Sequence, residues 1–329
     1  MSADTTGQPV GVGVVGAGQA GAQHLRALAD CRDAVAVAVC DTDKSRLEGI
    51  DVGFEKRPGP ALGTSTSLAE MLEDPRVELV ALATPPATHL DLALRVLTAG
   101  RGVLIEKPPL LTSDALSSVL AEAAGRGLAA GVMLQHRFRL PAAVHGSPWS
   151  PQSVAVAEVV RYRPPSHYAR DAWRTDPTAS GGALIAHLGV HFLDLACQLL
   201  GTPREIAGFA DPIPGTGLDQ RVACTVEFGQ GARLSFIGTT AVDQRSERLA
   251  VYDTGRALTV AGTTTSYEAA GTSECFTAST GGLRTKVYSD VAQAVRAHGQ
   301  PKVAGLAAAA GVVRLLEMIG RLPGQESAA

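Results

Sequence analysis

The chain has 329 residues, 45% of them hydrophobic and 19% charged, with a formal net charge of −3. That length holds more than one buried core, and the ordinary apolar share excludes a disordered or fibrous protein. The near-neutral balance gives no basic excess to attract nucleic acid or an anionic membrane.

From residue 10 to about 135, short apolar runs alternate with helix-like stretches. Residues 12–15 predict a strand and 20–29 a helix. The run 34–40 is unbroken and apolar, as expected of a strand buried on both faces of a parallel sheet. Ser67 followed by Glu70 fits a capping box that opens a short helix, and 78–83 is again strand-like. Over 88–99, Leu90, Ala93, Leu94 and Leu97 share one helical face, with Gly100 placed to end the helix. A strand at 102–105, a helix at 112–124 and a strand at 129–134 complete a doubly wound α/β pattern. Beyond 135 the texture changes, with Pro141 and Pro151 marking an irregular entry. Period-2 segments at 154–162, 221–228, 233–237 and 249–253 predict a largely antiparallel sheet. A helix-like run at 184–200 interrupts them, and 303–319 reads as a terminal helix. The expected organisation is an α/β dinucleotide-binding domain over 1–135 and an α+β domain over 136–329.

Targeting and redox signals are few. The polar residues 1–6 carry no basic-then-apolar leader pattern, and no apolar run is expected to reach the roughly 20 residues that span a bilayer. The five cysteines are odd in number and widely spaced, with no Cys-x-x-Cys, so a disulfide framework and a structural zinc site are not expected. Cys40 and Cys224 read as small core residues. These features point to a reduced, cytoplasmic protein.

Gly16-Ala17-Gly18-Gln19-Ala20-Gly21 follows the first strand and opens the first helix, and Asp41 ends the second strand twenty residues after Gly21. That context gives the glycines physical work. Gly16 permits the tight turn, Gly18 lets a pyrophosphate approach the helix N-terminus, and Gly21 lets helix and sheet pack closely. A carboxylate at 41 accepts from ribose hydroxyls and repels a 2′-phosphate. The expected cofactor is therefore NAD, with NADP kept open by Lys44 and Arg46 nearby.

Three further stretches occur in order: Ala83-Thr84-Pro85-Pro86-Ala87-Thr88-His89, then Glu106-Lys107-Pro108, then Ser180-Gly181-Gly182-Ala183 followed by Gly189-Val190-His191-Phe192-Leu193-Asp194. With Arg137-Phe138 and Trp173-Arg174, the chain resembles the glucose–fructose oxidoreductase / inositol dehydrogenase / rhizopine catabolism (Gfo/Idh/MocA) family over nearly its whole length. The resemblance implies a second domain built on a large, open, mostly antiparallel sheet that forms a homodimer or homotetramer. It also implies NAD(P)-dependent chemistry on a secondary alcohol or ketone of a sugar, cyclitol or related polyol. Lys107 matches the family lysine and His191 the family histidine. The chain departs at 187, where histidine replaces an aspartate that usually pairs with the later histidine, and at Ala183, which replaces a third glycine. On an unbroken helix His187 and His191 would face one side.

Hydride transfer from an alcohol carbon leaves a hydroxyl proton that a positioned lysine or histidine can take. Lys107, at the carboxyl end of a parallel strand, and His191 are the candidate catalytic residues. His187, Asp194, Trp173 and Arg174 are the candidate substrate contacts, Arg174 as a clamp for an anionic substituent. Besides the glycine turn and Asp41, the residues Thr84, Pro85, His89, Glu106 and Lys107 are assigned to the cofactor, Glu106 in a more structural role. His24 reads as packing. Histidines four apart on a helix also fit a zinc site, but no third ligand is evident and no metal is expected. Other readings are an imine or keto-sugar reductase, a non-catalytic dinucleotide-binding regulator of the same fold, and a glycosidase assisted by tightly held NAD.

Overall fold

Six parallel strands form the first sheet, in the order β3-β2-β1-β4-β5-β6. They are β1 (Val10–Val15), β2 (Ala34–Cys40), β3 (Gly63–Ser65), β4 (Leu79–Leu82), β5 (Gly102–Ile105) and β6 (Ala130–Val132). The structure is a computed structural model and describes residues 7–48, 50, 61–144 and 149–324. The polar residues 1–6 therefore lie outside it. Every residue of β1, β4 and β5 is buried, the signature of a parallel sheet covered on both faces. Helices α1 (Gln19–Ala29), α2 (Lys44–Glu48), α3 (Leu68–Glu73), α4 (His89–Thr98) and α5 (Ser113–Arg126) lie between the strands. Reversal of strand order between β1 and β4 makes this the expected doubly wound Rossmann sheet.

Local signals hold with small changes. The Ser67 hydroxyl caps α3, accepting from the Glu70 N–H at 3.5 Å. The Glu70 carboxylate does not return to Ser67; it accepts from the Ser65 hydroxyl instead. In α4 the buried face is His89, Ala93, Val96 and Leu97, with Leu90 and Leu94 half-exposed. Gly100 follows the helix at φ +77°.

Eight strands form the second sheet, in the order β14-β13-β12-β11-β7-β10-β9-β8. In chain order these are β7 (Val154–Arg161), β8 (Pro203–Pro212), β9 (Asp219–Phe228), β10 (Arg233–Thr239), β11 (Arg245–Asp253), β12 (Arg256–Ala261), β13 (Thr264–Ala269) and β14 (Thr272–Thr277). All pairs are antiparallel except β7 with β10. Helix α6 (Val190–Leu200) packs against β7 and β11.

The long helix-like run expected over 184–200 is broken. A π-helical turn spans Ile185–Gly189 before α6 begins. The stretch Pro177–Leu200 is also long and apolar enough to cross a membrane, contrary to expectation, but 83% of its apolar window is buried inside the fold.

Two compact units emerge, and the chain passes between them more than once. One comprises 1–109, 114–135 and 280–307; the other comprises 110–113, 136–279 and 308–329. A single division at 135/136 therefore omits helix α7 (Thr280–Arg296), which the sequence reading had not identified and which packs on α1 in the first unit. The expected terminal helix starts late. Residues 303–305 are not helical, Gly305 bridges to Gly131, and α8 covers Ala310–Ile319.

Candidate functional site

In the first unit, the glycine turn and the loops after β4 and β5 leave adjacent parallel strands at one carboxyl edge. Gly16 sits at φ +97°, and a Cβ there would lie 2.6 Å from the Ala83 carbonyl oxygen. A Cβ on Gly21 would lie 1.9 Å from the Gly16 carbonyl oxygen, so backbone contact excludes any side chain. Gly18 differs, since its Cβ would meet nothing nearer than the Arg46 guanidinium at 3.6 Å. Gly18 is the N-cap of α1, contributes no side-chain cap, and no acidic residue follows in the first turn. Gln19 and Ala20 begin the helix there, Gln19 exposed and Ala20 half-buried. The open space and the helix N-terminus fit a dinucleotide pyrophosphate.

Asp41 is buried at the end of β2. Its Oδ2 accepts from the Ala17 N–H at 2.7 Å and its Oδ1 from the Asp43 N–H at 2.9 Å. The carboxylate thus braces the glycine turn, and each oxygen keeps acceptor capacity for a ribose hydroxyl. The Arg46 guanidinium lies 3.9 Å from Oδ2.

His89 is fully buried and clamps two loops. Its Nδ1 lies 2.9 Å from the Pro109 carbonyl and its Nε2 3.0 Å from the Thr84 carbonyl. Burial pushes its pKa down, and one of these nitrogens donates in the neutral ring. The expected cofactor contact is therefore turned inward, and His89 joins the Thr84-Pro85 loop to the Lys107-Pro108-Pro109 loop. The Thr84 hydroxyl accepts from that of Thr88 at 2.8 Å.

Glu106 is the centre of a buried network that the sequence reading missed. Its Oε2 accepts from the Lys107 N–H at 2.9 Å, and its Oε1 accepts from the Arg284 guanidinium at 2.7 Å. The His24 Nε2 lies 3.2 Å from the same Oε1, and the His24 Nδ1 lies 2.6 Å from the Tyr288 hydroxyl. Burial lowers the pKa of this ring against the pull of Glu106 and favours its neutral form. Burial alone would raise the Glu106 carboxyl. The Arg284 charge, the side-chain contact with His24 and the Lys107 charge outweigh it and hold the group well below the usual carboxylate range. Arg284 and Tyr288 come from α7, so only the folded chain brings them to the Glu-Lys-Pro motif. The Lys107–Pro108 peptide is cis, and the Lys107 side chain is partly exposed.

In the second unit, His187 lies in the π-turn and His191 in the first turn of α6. The π-turn departs from the regular 3.6-residue period between them. His187 lies 5.8 Å from the Trp173 ring, whereas His191 stacks on His136 with centroids 4.5 Å apart. Arg174 covers Trp173 at 4.4 Å and donates to Asp171 at 3.1 Å.

Asp194 departs from its expected role. It is 0% exposed and takes a bidentate pair from Arg137, at 2.8 Å from Nε and 2.7 Å from Nη2, with Gln198 adding a third donor at 3.3 Å. It packs α6 against the segment after β6 and is closed to substrate.

A second carboxylate was not anticipated. Asp219, at the start of β9, accepts from the Ala183 N–H at 2.6 Å and the Ile185 N–H at 2.7 Å, capping the helical stretch that carries both histidines. Burial pushes its carboxyl up to about 6, against those N–H groups, which pull it down. Gly182, at φ +122°, leaves the space this carboxylate fills, since a Cβ there would lie 2.6 Å from Asp219 Oδ1. Among the described residues, no cluster of three His, Cys, Asp or Glu side chains could hold a metal ion.

A Rossmann sheet with an uncapped glycine turn, joined to an open antiparallel sheet, defines a dinucleotide-binding two-unit oxidoreductase fold. Residues 10–134 match the model for the oxidoreductase family with NAD-binding Rossmann fold, and 153–268 match the Gfo/Idh/MocA C-terminal domain. The chain belongs to the Gfo/Idh/MocA family. Over 212 residues it is 30% identical to inositol 2-dehydrogenase 2 of Saccharopolyspora erythraea, covering 61% of this chain and 59% of that one. Aldose-aldose oxidoreductase from Caulobacter crescentus, complexed with glycerol, superposes with a TM-score of 0.80 at 16% identity, covering 95% of this chain and 97% of that one. The WlbA dehydrogenase from Bordetella pertussis, in complex with NADH and UDP-GlcNAcA, gives 0.78 at 21%, covering 95% and 96%. The chain spans about half the length of the curated relatives it matches.

Proposed function

We propose that this protein is an NAD(P)-dependent oxidoreductase that moves a hydride between nicotinamide and a secondary alcohol or ketone of a sugar, cyclitol or related polyol. The observation that carries this reading is the placement of Lys107. Its main chain is pinned by a buried carboxylate at the same sheet edge as an open, glycine-capped helix N-terminus. The dinucleotide, when bound, supplies hydride acceptance or donation. Gly16, Gly18 and Gly21 with the first turn of α1 hold its pyrophosphate, and Asp41 takes the ribose hydroxyls. Glu106 fixes the Lys107 backbone, and His89 fixes the loop beside it. Lys107 accepts the hydroxyl proton in oxidation and returns it in reduction, with His191 as the other proton-handling group. His187, Trp173 and Arg174 are the substrate contacts. The inositol dehydrogenase relative supports a small polyol as substrate.

The exposed apolar residues Val154, Val156, Ile237 and Tyr252 lie on paired strands of the second sheet. They support a homodimer or homotetramer through that face.

Titration of cofactor-stripped protein with NADH and NADPH tests the cofactor assignment, and a polyol panel followed at the nicotinamide absorbance tests the activity. NADH is expected to bind more tightly than NADPH. Lys107→Met is expected to lower kcat by roughly 100-fold or more with NADH affinity nearly unchanged. Binding of neither dinucleotide overturns the oxidoreductase reading, and wild-type turnover in Lys107→Met removes Lys107 from the mechanism.

A further inference from the structure

The segment that follows β7 concentrates positive charge beside the histidine-bearing helix. Arg161, Arg163, Arg170 and Arg174 fall within fourteen residues. Two of these four have carboxylate partners. Arg161 lies 3.4 Å from Glu247, which also pairs with Arg245, and Arg174 lies 3.1 Å from Asp171. Among the described residues, no carboxylate lies within ion-pair distance of Arg163, which is half-buried, or of Arg170, which is exposed. All four guanidinium groups act on His167. After burial, their combined charge pushes that ring down to about 4, so it stays neutral and adds no compensation. Burial and neighbouring Arg161 also weigh against the charge on Arg163, and Glu247 offsets them only from a distance. A half-buried cation held among other cations is costly unless an anion completes the site.

The cluster is built into the same substructure as the candidate substrate contacts. The Arg163 N–H donates to the Thr240 carbonyl at 3.0 Å, and the Tyr168 hydroxyl donates to the Thr240 hydroxyl at 3.3 Å. Arg174 lies over Trp173, whose other neighbour is His187. Guanidinium forks suit carboxylate and phosphate oxygens, which they bind in pairs.

We infer that the substrate is an anionic sugar or cyclitol, whose carboxylate or phosphate is held by Arg163 and Arg170 while Trp173 and His187 face its ring. This inference rests on the reading of the protein as a polyol oxidoreductase and narrows its substrate class.

The test uses the full chain carrying Trp149→Phe, which leaves Trp173 as the sole tryptophan reporter. Trp173 fluorescence is titrated with glucose, glucuronate and glucose 6-phosphate, and NADH formation is followed in parallel with NAD present. Saturable quenching by glucuronate or glucose 6-phosphate, but not by glucose, is expected. The responding ligand distinguishes a carboxylate site from a phosphate site. Arg163→Gln and the exposed Arg170→Gln are each expected to weaken that ligand about tenfold, and added salt should weaken it further. Two results overturn the inference: equal titrations by neutral and anionic sugars, or an anion affinity unchanged in both variants. Anion binding without NADH formation supports the site while removing the dehydrogenase reading. Turnover of neutral polyols, unaffected by Arg163→Gln, keeps that reading and removes the site.

Discussion

Asp194 is where a substrate role and a structural role predict opposite outcomes. Both carboxylate oxygens meet the Arg137 guanidinium, and the two residues are 0% and 1% exposed. Asp194→Ala strips the buried counter-charge and leaves the cation in the protein interior, a loss of about 3–5 kcal/mol. For a unit of this size, about 2–4 °C per kcal/mol puts the fall in midpoint at roughly 6–20 °C. Both tryptophans of the chain, Trp149 and Trp173, lie in the unit that holds the pair. Intrinsic fluorescence therefore follows its unfolding separately from that of the Rossmann unit, which matters because two units need not unfold in one step. Replacing the pair together, as Arg137→Met with Asp194→Leu, should recover most of the loss, because an apolar pair of similar volume removes the charge that needs compensation. If Asp194 instead contacts substrate, the single variant keeps its melting curve and raises KM. A midpoint within about 2 °C of wild type would refute the structural assignment.

The two glycines of the dinucleotide turn should separate by assay. Gly18→Ala has room for its methyl and should keep the wild-type melt while losing NADH affinity by tenfold or so, about 1.4 kcal/mol; unchanged affinity would mean that nothing approaches that position. Gly21→Ala places a methyl against the Gly16 carbonyl and should lower both stability and NADH binding. Arg284→Met tests the Glu106 network through pH. Arg284 lowers the Glu106 pKa, so its stabilisation is present above the ordinary carboxylate pKa and lost as pH falls through the folded value. The deficit of the variant, read from circular-dichroism melts, should be largest at neutral pH and shrink as pH falls below the ordinary glutamate pKa of about 4.3 toward the lower folded value; a deficit independent of pH would remove the ion pair as its cause. His89→Gln keeps donor capacity on a single amide nitrogen, which cannot span the Thr84 and Pro109 carbonyls as the two ring nitrogens do, so NADH affinity should fall several-fold, as measured by titration. Full affinity would show that the clamp does not shape the site.

Much of the first unit was legible because burial on both faces imposes unbroken apolar strands, and because close backbone contacts leave Gly16 and Gly21 no alternative. The second unit was legible only toward its middle. β7, β9 and β10 alternate buried and exposed residues and announced themselves. At one edge, β14 buries no side chain. At the other, β8 begins and ends on proline and has few buried positions. An edge strand with solvent on both faces needs no apolar alternation. α7 did leave a trace in Leu283, Val287, Tyr288 and Val291, spaced as one helical face, though Gly281 and Gly282 at its start are poor helix formers.

The site residues that escaped notice share a cause. Arg284 and Asp219 look like solvated charges in the sequence, because their partners lie 178 and more than 30 residues away. Asp219 also bears on the departure at 187. The family aspartate would sit within the helical stretch, four residues before His191; here a carboxylate reaches the start of that stretch from β9 instead. The histidine at 187 lies against Trp173, whose ring the Arg174 guanidinium covers. A change that removes a negative charge from this position and leaves an aromatic ring there fits the anion-bearing substrate inferred above.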